Sequence, residues 1–188
     1  MSRSFTIRLT LPPGWFVLGR DDPDAWMAQF TEETRTGLDD DVDAELDELL
    51  DTYGLVWVTD AVESVVHKPR GTSGVRAVLL GYASARRSFV RRGIDAFAAP
   101  LTRDLRRSGS GTVETTPVTL ASGPAVRLRA VANDEIGRLR EQVLHVVRPP
   151  GSPGAIVLRM QWLPGRPDAD ALAAMADRIA ADALMEIW

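Results

Sequence analysis

The last third of the chain alternates apolar and polar residues through four runs, Val113–Leu120, Ala125–Ala132, Arg138–Val147 and Ala155–Leu163. Short turn-forming segments separate them: Ser122-Gly123-Pro124, Asn133-Asp134 and Pro149-Pro150-Gly151-Ser152-Pro153-Gly154. A period of two bounded by such residues specifies strands, so the region reads as an antiparallel meander. From Asp168 to Ile187 the spacing becomes helical, with Leu172, Met175, Ala176, Ile179, Ala183 and Ile187 on one stripe. Ile156, Leu158, Met160 and Trp162 form one side of the last strand. The two patterns predict that this side meets Leu172, Met175 and Ile179 in a core.

Upstream, Phe5, Ile7, Leu9 and Leu11 mark a strand that stops at Pro12-Pro13-Gly14, and Trp15-Phe16-Val17-Leu18 resumes as a second, shorter one. Asp22-Pro23 is a helix start, an N-cap oxygen followed by a proline whose missing N–H costs nothing there. Trp26, Met27 and Phe30 continue that helix toward Gly37; Val42, Leu46, Leu49, Leu50 and Tyr53 make a second, ended by Gly54. Leu55–Val66 has a helical spacing of apolar residues but is dense in β-branched ones. With a turn at Lys68–Gly74, the strand reading, paired with Val75–Ala83, is preferred. Phe89–Arg107 reads as a helix through Ile94, Phe97, Leu101 and Leu105, which Pro100 is expected to kink or restart.

At 188 residues the chain suits one domain, residues 1–188, with enough length for a core that needs no staples. The fold class expected is α+β: a largely antiparallel sheet of about six or seven strands, helices on one face, and the C-terminal helix packed across it. A net charge of −4 speaks against a general nucleic-acid binder. Cysteine is absent, which excludes disulfides, thiolate metal sites and cysteine nucleophiles. The amino-terminal strand alternates where a signal peptide would be continuously apolar, and no run has the length of a membrane span. A cytoplasmic, non-membrane protein is therefore expected.

No catalytic constellation is legible. The acidic stretch Asp39–Glu48 lacks the glycine and alternating oxygens of a calcium loop, and its leucines impose a helix instead. His67 and His145, the only histidines, read as structural. Neither a G-x-S-x-G elbow nor a glycine-rich phosphate loop in the right context is present. The expectation is no catalytic residue, no metal and no cofactor. The arginines carry the sharper reading. Arg127 and Arg129 alternate with Val126 and Leu128, Arg138 and Arg140 alternate on the next strand, and Arg159 lies opposite Leu158 and Met160. Read as an outward-facing field, Arg127, Arg129, Arg138 and Arg140 are candidate partner-binding residues, opposed by the acids of Asp21–Asp51.

Leu11-Pro12-Pro13-Gly14-Trp15 resembles the opening of PsbP-like and DcrB-like domains, and Val113–Arg127 with its Gly-Pro turn is similar to a strand pair in actinobacterial proteins of that shape. The resemblance implies a non-enzymatic accessory module that acts by binding. The expected partner is a protein or a second copy of the chain, with no nucleic acid. The alternative is a small-ligand binder or enzyme with an apolar cavity between sheet and C-terminal helix, as in START-like helix-grip folds.

Overall fold

The computed structural model describes residues 5–17, 63–67, 76–84, 93–152 and 154–187. Along these residues run β1 (Phe5–Arg8), β2 (Trp15–Val17), β3 (Glu63–His67), β4 (Ala77–Ser84), α1 (Asp95–Ser108), β5 (Gly109–Leu120), β6 (Gly123–Asn133), β7 (Leu139–Val147), β8 (Ala155–Trp162), α2 (Ala169–Asp182) and β9 (Leu184–Ile187). The helices expected over Asp22–Gly37 and Val42–Tyr53, and the acidic stretch, lie outside the described residues.

Seven strands make one sheet in the order β2-β3-β4-β8-β7-β6-β5, and β1 pairs with β9 in a separate ribbon. Neighbouring strands are antiparallel throughout. This is the expected α+β class, and the meander β5–β8 pairs in sequence order. Of the strand preferred for Leu55–Val66, the described end is present in β3, paired with β4 from Glu63↔Gly81 to His67↔Ala77, and residues 55–62 and the expected turn lie outside the described residues. Helix α1 begins at Asp95 and runs on through Pro100 to Ser108 without a restart.

The sheet is covered on both faces. Val126, Leu128, Ala130 and Ala132 of β6 turn toward Phe97, Ala98 and Leu105 of α1. The alternate residues Arg127 and Arg129 turn toward Asp177 and Asp170 of α2. The period of two therefore places the two described helices on opposite faces, not on the one face expected from the sequence. Residues Arg140–Val147 of β7 and all of β8 are buried on both sides. On the α2 face, Met160 and Trp162 pack with Leu172 and Ile179 and with the partly buried Met175, as the spacing predicted. Ile156 and Leu158 meet Ala180, Ala183 and Met185 further along.

The C-terminal segment departs from expectation. Its helix stops at Asp182, and Ala183 takes an extended conformation with φ −71° and ψ 134°. Ala183 and Met185 then point inward while Leu184 and Glu186 are exposed, a period of two instead of 3.6. Ser122, in the β5–β6 turn, fixes the change: its hydroxyl donates to the Ala183 carbonyl at 2.6 Å and accepts from the Met185 N–H at 3.0 Å. Met185 pairs with Ile7 of β1, and the ribbon closes the end of the α2 face that the helix does not reach.

Trp162 is 1% exposed at the centre of the α2-side core. Trp162→Ala should cost about 3–5 kcal/mol, the usual loss when a buried aromatic leaves a void. Urea unfolding followed by circular dichroism measures it.

Candidate functional site

The four candidate arginines do not share an outer face. Arg127 and Arg129 lie on the α2 face of β6, Arg140 lies on the α1 face of β7, and Arg138 is exposed just before β7 begins. The Nε of Arg127 donates to Asp177 at 2.7 Å, and the same carboxylate oxygen shares a hydrogen bond with Nε2 of His145 at 3.0 Å. Arg129 bridges Glu141 at 2.7 Å and Asp170 at 2.8 Å. Arg140, buried, faces Asp134 at 3.5 Å. Arg159 also departs from its expected outward position: it is buried on the α1 face, paired with Glu135 and 5.6 Å from the centre of the Tyr82 ring. Strands covered on both sides leave no outward face for these guanidiniums, so carboxylates of α2, β7 and the β6–β7 turn meet them. Although burial pushes the Asp177 carboxyl up, His145 and Arg127 hold it below its ordinary value. His145 is thus part of the fastening of α2 to the sheet.

A different group of side chains is left incomplete. On the α2 face, Trp15 of β2 pairs across the sheet with His67 of β3, and His67 with Ala77 of β4. Continuing the register Val78↔Gln161 by one residue sets Ala77 beside Trp162 of β8. The row is Trp15, His67, Ala77, Trp162: aromatic rings on either side of one methyl group. The Trp15 and His67 rings stack at 4.9 Å with 26° between their planes. Trp15, Ala77 and Trp162 belong to one apolar cluster with Leu11 and Leu172.

Around this row stand charged groups from the β3–β4 connection and the start of α2. Nη1 of Arg76 donates to Asp168 at 2.8 Å, and Nε of Arg166 donates to the other oxygen of Asp168 at 2.8 Å. The two guanidiniums, Arg166 foremost, hold the Asp168 carboxyl at about 2. Burial, aided by the Arg76 charge, pushes the His67 imidazole below its ordinary value, so the ring is neutral at pH 7.

Trp15 Nε1, Trp162 Nε1, Arg76 Nε and His67 Nδ1 are buried and have no hydrogen-bond partner among the described residues. The first three can only donate; the histidine nitrogen donates or accepts according to tautomer. A buried indole N–H ordinarily finds an acceptor, and leaving a buried polar group without one costs roughly 1–3 kcal/mol. The α1 face has unpartnered atoms too: Nε of Arg159, the hydroxyl of Tyr82, and one oxygen each on Gln142 and Gln161. The two glutamines are cross-strand neighbours, so an amide flip can turn the donor of one toward the acceptor of the other. No flip supplies an acceptor to an indole or to an arginine Nε.

Sequence reading found His67 but gave it no partners, and it missed Trp15, Arg76, Trp162 and Asp168 as a group. They come from four separate segments and are joined by sheet register and by the Arg76–Asp168 ion pair. Among the described residues no group of three or more His, Cys, Asp or Glu side chains is arranged to hold a metal ion, and no helix is long and apolar enough to cross a membrane.

The chain shares its fold with LpqN. That solved structure, of a protein involved in cell envelope biogenesis of Mycobacterium tuberculosis, superposes with a TM-score of 0.50 at 14% identity, covering 97% of this chain and 84% of LpqN. The relationship is distant and concerns the fold. No protein-family model and no curated protein matches the sequence.

Asp168 sets the pH dependence of this corner. Its folded value, about 2, lies below the ordinary 3.8, so the ion pairs stabilise the fold above pH 4 and the contribution is lost as pH falls toward 2. Asp168→Asn should lower stability at pH 7 by on the order of 1 kcal/mol, as half-exposed pairs do, and differ little from the parent at pH 2. Denaturant titrations at the two pH values test this.

Proposed function

We propose that the chain is a non-enzymatic accessory module that works by binding, and that it binds at the corner formed by Trp15, His67, Arg76 and Trp162. The observation that carries this reading is the set of buried nitrogens there without acceptors. Among the described residues, the buried indole N–H groups of Trp15 and Trp162 and the Nε–H of Arg76 are donor-only atoms without acceptors in or beside one row of the sheet, and such a set is organised to receive acceptors from outside.

The corner stands between the sheet and the first turn of the C-terminal helix, the region expected to hold a ligand in the second of the two readings drawn from sequence. Further along α2 the space is filled by Leu172, Ala176 and Ile179 against Val143 and Met160. Binding by a module of this kind agrees with the resemblance to PsbP-like and DcrB-like accessory domains. Cell envelope biogenesis, the process of LpqN, is where such a role is first to be sought.

A thermal-shift survey of the purified chain against organic acids, sugars and nucleotides tests the proposal. At least one class should raise the melting midpoint without being consumed, because a ligand that favours the folded state stabilises it by mass action. Trp162→Phe, which keeps the ring and removes the N–H, should abolish that response. A midpoint that moves with none of the compounds, or turnover of the one that binds, contradicts the reading.

A further inference from the structure

Resting on the binding role proposed above, the geometry points to one ligand chemistry: we infer that the corner takes a carboxylate carried on an apolar or aromatic body. Three features select it. The unmet atoms Trp15 Nε1, Trp162 Nε1 and Arg76 Nε are donors only, so the ligand must bring acceptor oxygens. Among the described residues the local charge is two guanidiniums, Arg76 and Arg166, against one carboxylate, Asp168, which leaves one positive charge for a monovalent anion. The walls are aromatic and aliphatic: Trp15 and Trp162, with Leu11 and Leu172 in the same cluster, and Ala77 opposite His67 as the one small residue of the row.

The ion pairs already present at the corner need not break for the anion to be held. Arg76 engages Asp168 through Nη1, so its Nε–H remains to donate to a second carboxylate. Asp168 is itself retained by Nε and Nη2 of Arg166. Among the described residues these three side chains are the accessible edge of the corner: Arg76 is 30% exposed, Asp168 29% and Arg166 21%. Behind them His67 and Trp162 are buried, and an anion held by indole and guanidinium N–H groups in such surroundings gains charge-assisted hydrogen bonds shielded from water. A neutral His67 completes the set, since Nδ1 can carry a proton and donate as a fourth group.

The proposal is tested by calorimetric titration of the full chain with octanoate and phenylacetate, beside the uncharged 1-octanol and 2-phenylethanol and inorganic phosphate. Both carboxylates should bind saturably, and the matched alcohols about tenfold more weakly or worse. Trp15→Phe and Arg76→Gln should each weaken octanoate about tenfold with an unchanged circular dichroism spectrum. Trp15→Phe retains the stacked ring, so its effect reports the lost N–H and not lost packing. If the alcohols bind as well as the acids, or phosphate binds and the acids do not, and Trp15→Phe abolishes that binding, the carboxylate assignment is wrong while the binding role stands. If no probe binds and the Trp15 and Trp162 indole signals in the NMR spectrum respond to none of them, the corner is not a ligand site and the carboxylate assignment fails with it.

Discussion

Burial of the central strands on both faces is the constraint from which the rest of the structure follows. In β7 and β8 every residue from Arg140 to Val147 and from Ala155 to Trp162 is removed from solvent, polar and apolar alike. Neither side of these strands is available to solvate a charge, and an isolated ion in such a place is prohibitively unfavourable. Arg140 and Arg159 must therefore each find a carboxylate within the fold, and they do, in Asp134 and Glu135, while the partly buried Arg129 of the neighbouring strand β6 meets Glu141 and Asp170. The acids that answer them sit on α2, on the adjacent strand and in the β6–β7 turn, so the same contacts fix the position of the covering elements. The Ser122 hydroxyl plays the equivalent part for the backbone where helix α2 gives way to strand β9.

Legibility of the sequence divides along the same line. The alternation in Val113–Leu163 and the glycine, proline and asparagine turns specify β5 to β8 and their order, because period and turn chemistry are local properties. The register of Met160 and Trp162 against Leu172 and Ile179 was equally legible, each side having its own clear period. What alternation cannot reveal is whether the second face of a strand meets water or another layer. Arg127 and Arg129 look the same in either case, which is why an outward arginine field was expected and an internal set of ion pairs was found. The C-terminal residues show a related limit: Ala183 and Ile187 are four apart and fit a helix, while Ala183 and Met185 fit a strand. Only the Ser122 clamp and the pairing with β1 decide between them.

The candidate site was the least legible part. Its members are scattered from Trp15 to Asp168, and their only common property is position in one row of the α2 face or beside it. Tryptophan in a strand reads as core, and Arg76 and Asp168 read as solvated charge. What sets the corner apart among the described residues is that two indole N–H groups are left over there, beside the Nε–H of Arg76. The proposed binding role rests on this surplus of donors.

The account depends above all on the arginines of the sheet being internal and paired. Exchange of arginine side-chain Nε–H protons with water, followed by NMR, measures this directly, with exposed Arg103 and Arg106 of α1 as the reference. Nε–H of Arg127 and Arg129, bonded to Asp177 and Glu141, and of buried Arg159 should exchange at least tenfold more slowly than those references, since exchange requires opening of the covering layer. Exchange of all five at one common rate would mean that these guanidiniums face water, and the two-faced burial on which the structure is argued would not hold.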